Sequence, residues 1–205
     1  MNKKISRRLF GASAAGIALT PICVVGQEQE TKQEPKQESG PREKAFERDY
    51  EPPKFKPSWK NEQVNRSMAQ DFVIYAHSDL KMVEKLLEKE PGLLNATLDW
   101  GDGDWETALG GASHMGRKDI VEFLISKGAR VDLFCAAMLG LVDAVKAMVS
   151  MQPTLVDAKG PHGFSLHYHA QVGQEDSKAV LDYLQSVKEV ELKPLPAFMR
   201  RKKKQ

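Results

Sequence analysis

The feature that most constrains this chain is a pattern of short helices that recurs from residue 68 to residue 187. Segments beginning at Phe72, Glu106, Asp132 and Phe164 combine a short apolar helix, a small turn residue and a second amphipathic helix. Apolar residues of the Glu106 segment fall at helical spacings and form one stripe per helix: Leu109, Ala112, Ile120, Val121, Leu124 and Ile125. One such unit cannot bury its own apolar face, whereas stacked units can. The sequence therefore predicts an all-α repeat architecture.

A more specific pattern lies within the Glu106 segment. It contains "TALG" at 107–110, "AS" at 112–113, the turn residue Gly116 and "GARVD" at 128–132. These residues resemble the ankyrin repeat, G-x-T-P-L-H-x-A-A-x-x-G-H-x-x-I-V-x-x-L-L-x-x-G-A-x-V-N. The resemblance implies an ankyrin-repeat solenoid of about four helix-turn-helix repeats, each of about 33 residues. It also implies a non-enzymatic protein that binds other proteins.

The segments depart from this pattern in ways that predict local structure. Thr107 is placed to cap the first helix of its repeat, and Gly128 to end the second. The connection before Thr107 is lengthened. The next repeat lacks its hairpin, so a helix is expected to begin almost directly after Asp132. In the last repeat, Phe164 replaces the capping threonine, while the first repeat lacks the motif and is expected to act as a cap.

The N-terminal residues 1–26 read as an export signal. Four basic residues precede a weakly apolar run, and "SRRLF" at 6–10 resembles the bacterial twin-arginine signal. The resemblance implies an exported, periplasmic protein. Cleavage is expected after Gly26. A lipoprotein alternative at Cys23 is disfavoured because Ile22 is too bulky for a lipid-attachment sequence.

Three further regions follow the signal. Residues 27–60 are rich in Glu, Lys, Gln and Pro, which predicts a disordered linker, with its late aromatic residues left open as docking groups. Residues 61–187 are expected to form the ankyrin-repeat domain. Residues 188–205 form a basic tail, which is the one part expected to touch a membrane.

Charge and cysteine content exclude several classes of protein. The formal net charge is +2, but positive residues concentrate at the two termini, so the body between them is acidic and unsuited to nucleic acid. Only two cysteines occur, and Cys135 is expected to be a buried small hydrophobe. No nucleophile elbow, phosphate loop or dinucleotide fingerprint is present, so we expect no catalytic residues and no cofactor.

Two clusters of polar residues raise the alternative of a metal-binding protein or enzyme. The carboxylates of Asp99, Asp102, Asp104 and Glu106 do not match a calcium loop, and a glycine-rich hairpin explains them better. The histidines His162, His167 and His169 have the spacing H-x4-H-x-H, but the last two point about 200° apart on one helix. We therefore expect no metal, and keep both clusters as the alternative.

The expected binding surface combines the hairpin with the first-helix positions that follow it. Its residues are Trp100, Asp102, Asp104, Trp105, Gly110, Gly111, His114 and Met115. The adjacent glycines are unusual because each costs roughly 1 kcal/mol relative to alanine inside a helix. They indicate a close approach by something bulky or a groove that takes a small ligand. The protein is expected to be a monomer that binds another protein.

Overall fold

The structure, a computed structural model, describes residues 43–199. The predicted signal peptide, the first part of the linker and the basic residues 200–205 lie outside this range. The chain divides into two units between Lys56 and Pro57. Residues 43–56 form no helix or strand, and they expose the aromatic side chains of Phe46, Tyr50 and Phe55.

The second unit is mostly helical within its described residues, as the sequence predicts. A two-stranded antiparallel hairpin pairs Thr97 with Thr107. The α-helices and strands are α1 (Arg66–Tyr75), α2 (Leu80–Lys89), β1 (Thr97–Asp99), β2 (Trp105–Thr107), α3 (Ala108–His114), α4 (Lys118–Ser126), α5 (Leu133–Met138), α6 (Val142–Met151), α7 (Leu166–Val172) and α8 (Lys178–Val187). Short 3-10 segments cover Pro91–Asn95, Pro153–Asp157, Pro161–Gly163, Gln174–Ser177 and Ala197–Met199.

Consecutive helices pack in pairs around two apolar clusters. α1 packs on α2, α3 on α4, α5 on α6 and α7 on α8, while α3 also contacts α1, α5 and α7. One cluster gathers residues such as Phe72, Ile120 and Leu124, and the other residues such as Val145 and Leu184. The predicted stripe is buried except for Ile125, which is half-buried. Burial of these side chains supplies the main stabilisation of the helices.

Side-chain caps fix where the helices begin. Thr107 Oγ1 accepts from the Gly110 N–H at 3.0 Å, which confirms the predicted cap of α3. Asp132 caps α5 by accepting from the Cys135 N–H at 2.7 Å, and α5 begins at the next residue, as expected. In the last pair Ser165 takes the capping role. Phe164 instead stacks on Tyr168, with ring centroids 4.3 Å apart.

Two further predictions concern single residues of the helical unit. Gly128 follows α4 with a φ of +94°, a conformation that ends helices and suits glycine. Cys135 is fully buried. Burial raises the pKa of its thiol to about 11, so it is protonated at neutral pH. The structure thus confirms Cys135 as a buried small hydrophobe.

His169 predicts a pH dependence of stability. Its ring is buried, its Nδ1 donates to the Ser165 carbonyl at 2.9 Å, and burial lowers its pKa from 6.5 to about 4. Between these pH values the unfolded chain binds a proton that the native chain does not. The free energy of unfolding is therefore expected to fall by about 3 kcal/mol from pH 6.5 to pH 4 through this residue. Denaturant titrations across this range measure the loss, and His169→Gln should show a shallower one. Equal losses in both proteins would contradict the assignment.

Candidate metal centre

The hairpin carries a buried carboxylate, Glu106. Side chains alternate along β2, so Trp105 faces solvent whereas Glu106 points into the domain. Glu106 Oε2 accepts a hydrogen bond from Trp100 Nε1 at 2.8 Å. A buried carboxylate is costly unless further donors or a positive charge compensate it. The groups around Glu106 therefore define what the site can do.

Three histidines from distant parts of the chain surround this carboxylate. His77 follows α1, His114 ends α3, and His162 lies in the Pro161–Gly163 turn before α7. Their Nε2 atoms lie 3.3, 2.9 and 3.6 Å, respectively, from the nearer Glu106 oxygen. The Nε2 atoms of His77 and His114 are 3.1 Å apart. Each of the four residues offers a ligand atom within 4.8 Å of the others.

Hydrogen bonds orient two of the imidazoles toward a common point. His77 Nδ1 donates to the Val73 carbonyl at 2.9 Å, and His162 Nδ1 donates to Asp104 Oδ2 at 3.0 Å. In their neutral forms both rings then carry the Nε2 lone pair that faces Glu106. Lone pairs directed at a carboxylate repel it, so this arrangement requires protons or a metal cation between them. Metal-binding histidines typically use the second nitrogen in this way.

The pKa shifts agree with a strong demand for positive charge. Burial raises the pKa of Glu106, but His114 and His77 outweigh that effect and lower it to about 2. Burial lowers the pKa of His77, whereas the Glu106 carboxylate raises it, and the net direction is upward. Glu106 is therefore ionised at neutral pH, and its negative charge is compensated either by protons on the imidazoles or by a metal ion.

The spacing of the donor atoms suits a transition metal ion. Tetrahedral zinc binds nitrogen and oxygen at about 2.0–2.1 Å, which places neighbouring ligand atoms about 3.3 Å apart. His77 Nε2 lies 3.3 Å from Glu106 Oε2 and 3.1 Å from His114 Nε2, and His162 Nε2 lies 3.6 Å from Oε2. His114 Nε2 lies 2.9 Å from the other oxygen, Oε1. One ligand atom from each of the four residues fits within 4.8 Å, so small side-chain movements would bring them to the tetrahedral spacing. Glu106 Oε1 and His114 Nε2 are close but lack hydrogen-bond geometry. Two atoms that bind the same metal ion lie close together in this way, because each directs its lone pair at the ion and not at the other atom.

The pair Gly110–Gly111 has a structural explanation in this cluster. A Cβ on Gly111 would lie 2.7 Å from His77 Cε1 and 3.0 Å from His77 Nδ1, which is too close. The absence of a side chain at Gly111 lets the His77 ring lie directly against α3. A Cβ on Gly110 would meet its nearest neighbours, Glu106 Cγ and Thr107 Oγ1, at 3.4 Å. The two adjacent glycines thus have different roles.

Asp104 holds the His162 loop in place. Its Oδ1 accepts from the His162 backbone N–H at 2.9 Å, while Oδ2 accepts from the ring Nδ1. His162 has a φ of +56°, an uncommon conformation for a residue other than glycine. The two hydrogen bonds compensate this backbone strain and turn Nε2 toward Glu106.

Asp104→Asn is therefore expected to weaken zinc binding by about 10- to 100-fold, as loss of such outer partners does in other metal sites. The asparagine amide keeps the size of the side chain but removes the charge that holds the His162 proton on Nδ1. Competition with a coloured zinc chelator measures the affinity. Asp102→Asn removes the same charge from the same hairpin and serves as the control. Equal affinities of Asp104→Asn and the wild type would contradict the role of Asp104.

The structure divides the expected partner-binding residues between surface and interior. Trp100, Asp102 and Trp105 are exposed on the hairpin, and Asp104 and Met115 are half-buried. Asp104 contacts His162, as described above. Three of the expected residues are buried: Gly110, Gly111 and His114. As the sequence predicts, the hairpin is glycine-rich, and Gly101 and Gly103 have positive φ values.

The metal clusters weighed from the sequence contribute one residue each to the observed cluster. His167 Nε2 lies 2.9 Å from the Lys188 carbonyl and His169 donates to Ser165, so neither joins His162. Among the carboxylates of the acidic loop, Glu106 enters the cluster and Asp104 supports it. His77 was not identified from the sequence, and His114 was not predicted to bind a metal together with any other residue. One sequence feature does connect them, because each lies at the end of the first helix of its pair and the two pairs are consecutive.

Comparison with known proteins does not identify the chain. No family model matches it, and no curated protein matches it. Within residues 43–199, the helices are too short or too polar to cross a membrane.

Proposed function

We propose that this protein binds a divalent transition metal ion through His77, Glu106, His114 and His162. The observation that carries the proposal is the convergence of three imidazole Nε2 atoms on one buried carboxylate, with two of the rings fixed through Nδ1. Three nitrogens and one oxygen suit zinc, copper, iron or nickel, whereas magnesium and calcium prefer oxygen ligands. Zinc is the metal that we use as the reference.

Metal analysis of the purified full chain tests this function. After incubation with Zn²⁺ and dialysis, the wild-type protein should retain one zinc ion per chain. His114→Ala should retain much less because it removes a buried ligand. His167→Gln is the matched control, since it removes a histidine that lies outside the cluster. Zinc retention that is equal in His114→Ala and the wild type would overturn the proposal.

We propose that the scaffold is a set of four ankyrin-type repeats. The motif at residues 107–132 and the consecutive packing of α1–α2, α3–α4, α5–α6 and α7–α8 support it. Superposition of each helix pair on the next tests the scaffold. Pairs that do not superpose would contradict a repeat origin.

We also propose that the hairpin of residues 99–105 binds another protein. The supporting observation is Trp105, whose side chain is 61% exposed beside the exposed Asp102. Tryptophan in such a position is a frequent anchor of protein interfaces.

Trp105→Ala is expected to abolish capture of a specific partner from periplasmic extract. The loss would follow from removal of the apolar anchor at the hairpin. Met151→Ala is the matched control, because Met151 is also exposed but lies at the end of α6, outside the hairpin. Retention of the same partner by Trp105→Ala would exclude this surface.

Export through a twin-arginine signal is a further proposal, supported by "SRRLF" at 6–10. Replacement of Arg7 and Arg8 by lysine should keep the protein in the cytoplasm. A periplasmic location that is unchanged by these substitutions would contradict export by this route.

A further inference from the structure

We infer that the metal centre keeps a coordination position open to solvent and takes a small monoanionic ligand there. This inference rests on the proposed metal-binding function. It concerns whether the bound ion can take a further ligand. A closed metal site stabilises the fold, whereas an open one also binds ligands.

Exposure differs sharply between the two sides of the cluster. The side chains of Glu106 and His114 are 0% and 4% exposed, whereas those of His77 and His162 are 19% and 30% exposed. Glu106 and His114 therefore form the inner side of the site. Because the four side chains supply a tetrahedral set, the open position is a fifth one, and it would lie on the outer side, between the rings of His77 and His162.

One of the two outer ligands, His162, is also the least tightly placed. His77, Glu106 and His114 lie on or beside regular secondary structure and contact one another at 2.9 to 3.3 Å. His162 lies on an exposed turn, and its Nε2 is 3.6 Å from Glu106 Oε2. His77, Glu106 and His114 would thus hold the ion through short contacts, whereas His162 would approach it from an exposed turn.

The indole ring of Trp100 lies at the outer side of the site but supplies no ligand to the open position. Its ring lies edge-on to His77 and to His162, with centroids 5.8 and 5.2 Å away, and it remains 42% exposed. Its Nε1–H is already donated to Glu106 Oε2. Trp100 therefore offers an apolar wall, and an incoming ligand would be held by the metal ion itself.

The net charge of the metal ion and its four protein ligands determines which kind of small molecule the open position would bind. A divalent ion bound to three neutral imidazoles and the Glu106 carboxylate keeps one net positive charge. A monoanion at the open position would neutralise it, and such neutral complexes are favoured in a partly buried site. In the absence of another ligand, a water molecule would occupy the position and lose a proton more readily than in bulk.

Cobalt substitution tests the open position. The full chain is loaded with Co²⁺, whose visible absorption reports coordination number, and sodium azide is added as the monoanionic probe. We expect a saturable shift of the cobalt bands with one azide per cobalt. His167→Gln should behave as the wild type does, which excludes cobalt bound to His167.

Three results would overturn the inference, and they are distinguishable. A spectrum that stays unchanged at saturating azide, with one cobalt bound per chain, would mean a closed site and leave metal binding intact. Failure to bind one cobalt per chain would remove both the open position and the proposed function. Azide binding that persists equally in His114→Ala would place the cobalt elsewhere and would also overturn it.

Discussion

Zn²⁺ at about a thousandfold excess over its dissociation constant is expected to raise the free energy of unfolding by about 4 kcal/mol. The ion binds only the folded chain, because its ligands come from residues as far apart as His77 and His162. It also removes the repulsion between Glu106 and the inward-facing imidazole lone pairs. Denaturant titrations with and without Zn²⁺ measure the effect.

The His114→Ala variant separates this effect from general binding of zinc to the surface. It removes a ligand that is buried beside Glu106. We expect most of the zinc-dependent stabilisation to disappear in this variant and to persist in His167→Gln. Equal stabilisation of all three proteins would show that zinc acts outside the cluster.

Gly111→Ala is expected to lower zinc affinity by at least about tenfold while the metal-free protein still folds. The new methyl group would lie 2.7 Å from the His77 ring, which must turn or move away. That movement breaks the hydrogen bond of His77 Nδ1 to the Val73 carbonyl and withdraws one ligand. Competition with a zinc chelator measures the affinity.

Gly110→Ala is the matched control for this substitution. The residues are adjacent in the same helix, and both substitutions favour helix formation by roughly 1 kcal/mol. A methyl group on Gly110 meets neighbours at 3.4 Å and does not reach His77. Zinc affinity should therefore stay close to the wild-type value. Similar affinities of the two variants would contradict the role assigned to Gly111.

The helical parts of the domain could be predicted from the sequence because their signals are local. The apolar stripe that includes Ile120 and Leu124 is set by helical periodicity. Thr107 and Asp132 cap helices through hydrogen bonds to residues three positions later. Ser165 shows the limit of the pattern: the cap of α7 moved by one residue because a serine hydroxyl can accept a hydrogen bond and Phe164 cannot.

The metal cluster could not be predicted because its residues share no local motif. His77 follows the first helix of the first pair, His114 ends that of the second, and His162 precedes that of the fourth, so they meet only in the folded domain. The hairpin carboxylates and the histidines of the last pair were considered as separate metal sites. One residue of each set, Glu106 and His162, belongs to the observed cluster. The adjacent glycines did signal a close approach, and the group that approaches Gly111 is the His77 ring.

X-ray absorption spectroscopy of the zinc-loaded full chain tests the central claim most directly. We expect one zinc ion per chain, with nitrogen and oxygen ligands at about 2.0–2.1 Å. The scattering pattern should include the outer ring atoms of three imidazoles, from His77, His114 and His162. A shell without imidazole scattering, or the absence of bound zinc after dialysis, would contradict the account.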